Sequence, residues 1–151
     1  METEKTITVL NNLIQINNDR IEGYKTASDE TEENDLKSFF ADLKATSIRL
    51  NSELRAEVIR LGGTPTDETK ITGKFFRVWM DVKAALTGKD RKAILDSCEF
   101  GEDVAKKTYA DTLTDDIEHL TFEQQSMIRE QHVALTADHD RVKSMRNAAA
   151  N

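Results

Sequence analysis

A single cysteine, a single proline, six glycines and no surplus of positive charge exclude several kinds of protein at once. Cys98 has no second cysteine to pair with, so no disulfide framework supports the chain, and a reducing cytoplasm is the expected setting. The charged start Met-Glu-Thr-Glu-Lys lacks the apolar stretch of a secretory signal, and no apolar run is long enough to span a bilayer. A formal charge of −7 offers no basic face for phosphates, which argues against nucleic acid and anionic membrane surfaces as partners. Neither a glycine-rich phosphate loop nor a Ser–His–Asp signature is present. What remains, 32% charged and 38% hydrophobic residues, is the composition of a helical bundle and too apolar for disorder. With 151 residues the chain can bury a core as one domain over 1–151.

Periodicity turns this composition into elements. Ile7, Leu10, Ile14, Asn17, Ile21, Tyr24 and Ser28 recur at alternating steps of three and four, predicting a first helix over about residues 3–28. Asn34 is the expected N-cap of a second helix, with Asp35 in its first turn to complement the helix dipole. That helix carries Leu36, Phe40, Leu43, Ser47, Leu50, Leu54, Glu57 and Leu61 inward and stops at Gly62-Gly63. After a loop with the only proline, Phe75, Trp79, Val82 and Leu86 mark a short helix over about residues 72–87, halted by Gly88. Asp90 can cap a third long helix whose inward positions are Ile94, Cys98, Gly101, Ala105 and Thr108. Past a breaker region at 114–120, Thr121 and Gln124 have capping-box spacing, and Ile128, His132, Leu135, His139 and Val142 line the fourth.

Four long helices joined by two short turns and one long link, residues 62–89, predict two antiparallel hairpins. A second helix of about 27 residues is roughly 40 Å long, a distance the link can retrace. A link that does so makes the second and third helices parallel, which is the ferritin-like arrangement.

Leu61-Gly62-Gly63, the segment Trp79 to Gly88, Cys98-Glu99-Phe100-Gly101-Glu102-Asp103 and His139-Asp140-Arg141-Val142 carry a resemblance. Together they resemble a bacterial ferritin-like family of four-helix-bundle proteins classed as a domain of unknown function, over nearly the whole chain. The resemblance implies an all-α, ferritin-like four-helix bundle with a short extra helix in the crossover, in a small soluble bacterial protein associated with stress. It brings no catalytic residues with it.

Ferritin-like metal centres take a Glu from each of two helices and a Glu-x-x-His pair from each of the other two, because two hard cations need several oxygens and two imidazoles. None of His119, His132 and His139 has Glu three residues before it, and the second helix has no histidine. Counting outward from the turns sets Asn17 level with Ser47 and His132 level with Glu102. A parallel second and third helix would bring all four to mid-bundle. The expectation is a hydrogen-bonded polar core layer of Asn17, Ser47, Glu102 and His132 that fixes register. The alternative is a metal site built on Glu102 and His132.

The same counting pairs His139 with Tyr24 as an imidazole–phenol hydrogen bond. It places Glu57 where it can reach water or the start of the first helix, and turns Glu99 outward. Cys98 reads as buried and inert. Phe75, Phe76, Trp79 and Met80 form an apolar stripe that covers the core or serves as a subunit interface. The expected protein is a non-enzymatic, cytoplasmic ferritin-like bundle with a binding or structural role, no cofactor, an unidentified protein partner and a homo-oligomeric state. The competing expectation is a degenerate metal-binding or redox carboxylate protein of the ferritin-like class.

Overall fold

The three-and-four spacing resolves into four long helices within the residues the computed structural model describes, 2–69 and 90–149. These are α1 (Glu2–Glu30), α2 (Asn34–Arg60), α3 (Arg91–Asp115) and α4 (Phe122–Ala149), with a 3-10 turn over Ile117–His119 and no strand among the described residues. The expected crossover helix, with Phe75, Phe76, Trp79 and Met80, lies outside the described residues.

Local chemistry accounts for most of the helix ends. The Gly62 N–H bonds Ile59 O and the Gly63 N–H bonds Val58 O, a Schellman closure that puts Gly62 at φ +85, where a Cβ is strained. Asp90 caps α3 by accepting from the Ala93 N–H at 3.1 Å. Thr121 Oγ1 accepts from the Gln124 N–H while Gln124 Oε1 accepts from the Thr121 N–H, which completes the expected capping box. Asn34 is not a cap: Glu33 occupies that position without a side-chain bond, and Asn34 is already helical. Asp90→Ala is expected to cost about 1 kcal/mol, the usual value of a lost cap, measurable as a shift of the urea midpoint.

Side-chain contacts fix how the helices run. Arg91, first residue of α3, binds Glu33 and Asp35 at the start of α2, so α2 and α3 begin at the same end. Thr6 near the start of α1 donates to the carbonyl of His119, past the end of α3, so α1 and α3 run in opposite directions. Glu57 with Gln124 at one end and Asp42 with Arg141 toward the other set α2 against α4 in the same opposed sense. The link after α2 sets off back along the bundle. Asn11 binds the backbone of Thr64 and Thr66, and Asn18, two turns further along α1, binds the carbonyl of Glu68 at 2.9 Å.

Two apolar clusters fill the interior. One holds Leu10, Leu13, Ile14, Leu50, Leu54, Ala105, Ile128 and Leu135 among others; the second holds Tyr24, Leu36, Phe40, Leu43, Ile94, Cys98 and Val142 among others. Between them, on all four helices, lies a layer of polar side chains.

Candidate functional site

Arg20 is the centre of that layer. It is fully buried, on the same face of α1 as Asn17 and Tyr24, where a position three or four residues on from a core residue must point inward. Its guanidinium uses most of its donors. Nε and one terminal nitrogen form a fork to Glu102 of α3, at 2.8 Å to Oε2 and 2.7 Å to Oε1. The same terminal nitrogen reaches Asp138 Oδ2 of α4 at 3.1 Å, and the other donates to Ser47 Oγ of α2 at 2.5 Å. Its carbon lies 5.5 Å from the centre of the Tyr24 ring, within range of the attraction between a cation and a π face.

From Ser47 the bonding continues in one direction. Ser47 donates to Asn17 Oδ1 at 2.7 Å, Asn17 donates to the Tyr109 hydroxyl at 2.8 Å, and Tyr109 donates to Gln131 Oε1 at 2.7 Å. Gln131 ends the chain by donating to the carbonyl of Leu50 and to Glu53 at the surface. The chain of donors therefore points from a buried cation toward an anion at the rim, the sense in which each dipole is stabilised by both ends.

Burial opposes the charge on Arg20, but Glu102, Tyr24 and Asp138 together outweigh it and hold the guanidinium pKa above its ordinary value. Glu102 is raised by burial, against which Arg20 and a hydrogen bond from Tyr24 act. Burial likewise raises Tyr24, Tyr109 and the Cys98 thiol. Cys98 should consequently resist thiol reagents in the folded state and label only as fast as the chain opens. Stopped-flow labelling tests this, and a rapid reaction independent of denaturant would contradict it.

The structure brings Asn17, Ser47 and Glu102 into one network and leaves His132 out. His132 is half-buried one residue past Gln131, which does the bonding on α4, and burial together with Lys106 lowers its pKa. His139 meets Asp103 of α3 and its neighbour Asp140 instead of the Tyr24 phenol. Glu57 binds Arg60 and Gln124 of α4, not the start of α1. Glu99 does not point outward: its side chain is 16% exposed and pairs with Arg146 of α4.

These side chains do not fit a ferritin-like metal centre. Both oxygens of Glu102 already face the guanidinium, Asp138 is shared with it, and no imidazole enters the layer. The arrangement can fix the register of four helices and keep a permanent positive charge in the core. Arg20, Tyr109, Gln131 and Asp138 are the members that periodicity missed, since the spacing favours Ile21 over Arg20 and Thr108 over Tyr109.

Among the described residues, the fold and its centre thus define an all-α arrangement of four long helices with a buried arginine–carboxylate layer. Residues 5–115 match the family described as Domain of unknown function (DUF2383), and the chain belongs to that family. No curated protein matches the chain.

Proposed function

We propose that the chain is a ferritin-like bundle, two antiparallel hairpins joined by a long crossover, that acts as a non-enzymatic binding or structural protein. The observation that carries this reading is the Arg20 fork on Glu102: a covalently attached cation stands among the carboxylates that a metal-dependent relative would need free. The common start of α2 and α3 supports the ferritin-like connection. No helix among the described residues is long and apolar enough to cross a membrane. A cytoplasmic setting, a stress-linked role and homo-oligomerisation through the crossover segment complete the proposal, carried by the single cysteine, the family resemblance and the apolar stripe at 75–80.

Oxidation of Fe(II) by dioxygen is the test. The full chain should oxidise Fe(II) no faster than buffer. A saturable, catalysed oxidation abolished by Glu102→Gln would replace this reading with that of a redox carboxylate protein.

A further inference from the structure

A second group of carboxylates lies outside the core layer, between α3 and α4, and it includes an imidazole. We propose that Glu99, Asp103 and His139 form a binding site for one divalent transition-metal ion, for which Zn(II) is the fitting probe.

Glu99 and Asp103 stand one turn apart on α3, so both carboxylates lie on the face that α4 covers with His139. Their ligand atoms all lie within 4.8 Å of one another. His139 Nε2 is 2.7 Å from Asp103 Oδ1, and the ring is held in place by burial, with the residue 9% exposed. Two oxygens and one imidazole nitrogen suit borderline cations of the Zn(II) type, whose sites with three protein ligands keep a further position for water. The ring is also set up from behind. Asp140 lies 3.2 Å from Nδ1, the place where a carboxylate commonly orients a metal-bound histidine. With the ion on Nε2, the ring proton sits on Nδ1 and is donated to Asp140. Asp103, 57% exposed, gives the ion a way in and a side chain able to turn toward it.

Arg146 occupies this place in the metal-free chain, with its NH1 nitrogen 2.8 Å from Glu99 Oε2 and 3.0 Å from Oε1. The contrast with Arg20 is one of depth. Arg20 is wholly buried and cannot leave, whereas Arg146 is 26% exposed and has Asp96 beside it, 3.7 Å away, to receive its charge. A metal therefore competes with Arg146 for Glu99, and removing that arginine should strengthen binding.

Isothermal titration of the tag-free full chain with Zn(II) in a non-coordinating buffer tests the site. One ion per chain should bind. Asp103→Asn, a change at an exposed side chain, and His139→Gln should each abolish binding. Asp140→Asn should weaken it about tenfold, the lower end of the cost of losing an orienting carboxylate. Arg146→Gln should tighten it and His132→Ala leave it unchanged. Co(II) provides a second readout, its visible bands present in the wild type and missing in Asp103→Asn. Absence of saturable one-to-one binding, binding that survives Asp103→Asn, or loss of binding in His132→Ala would overturn the proposal.

Discussion

Replacing Arg20 by Met is expected to destabilise the chain by about 3–5 kcal/mol, the cost of leaving a buried ion without its partner. Met matches much of the stem's volume, so the loss reports on charge more than on packing. Glu102 would face Tyr24 and Asp138 with its cation removed, Ser47 would lose a donor, and the cation contact on the Tyr24 ring would vanish. Two controls separate this from a simple cavity. Adding Glu102→Gln to Arg20→Met should recover a large part of the loss, because a neutral amide is less costly to bury than an orphaned carboxylate. The penalty should also shrink in acid. A carboxyl whose folded pKa is raised above its unfolded value holds its proton more tightly when folded, so the penalty is present at neutral pH. It begins to shrink as the pH falls through the folded value and is gone below the unfolded one. Urea melts between neutral and acidic pH supply both comparisons, and a loss independent of pH and of Glu102 would show that packing, not charge, is at stake.

Tyr109→Phe has the next largest expected effect, about 1–3 kcal/mol. The ring stays and only the hydroxyl goes, so the apolar cluster around Leu50 and Ile128 is preserved. Asn17 then loses the acceptor of one amide N–H, and Gln131 loses a donor to its carbonyl oxygen, both inside the core. His132→Ala, one position from Gln131, should change stability by no more than about 0.5 kcal/mol, as expected away from the network. Equal losses in the two variants would mean that α4 turns a different face inward.

The helices were legible because their signals are redundant. Leu36, Phe40, Leu43, Ser47, Leu50 and Leu54 repeat the same spacing through α2, and each of them is buried. Caps were legible where one side chain can do the work: Asp90 and the Thr121–Gln124 pair are as the spacing implies, while Asn34 loses to Glu33 because a one-residue shift at a helix start costs little.

The core layer was legible only in part. Asn17 and Ser47 stand out as polar residues on apolar stripes, and Glu102 follows from counting outward from the turn between the third and fourth helices. Arg20 does not, because Ile21 beside it satisfies the pattern, and a buried arginine is tolerable only when carboxylates from other helices are already in place. Those carboxylates come from positions 82 and 118 residues away, so no local rule reveals them. The same one-residue ambiguity exchanged His132 for Gln131 on α4 and left out Asp138. A stripe of residues three and four apart has two flanks, and which flank is buried depends on the neighbouring helices. Glu99 illustrates the same limit, since only the presence of Arg146 makes its burial affordable.

The central claim is that a guanidinium from α1 fills the mid-bundle place among the carboxylates. Anomalous diffraction from crystals soaked in Mn(II) or Zn(II) tests it most directly, because it locates metal and side chain together. Arg20 should stay forked on Glu102 in every soak, with no anomalous peak in bonding distance of Glu102. A peak bonded to Glu102, with Arg20 turned away from it, would contradict the account.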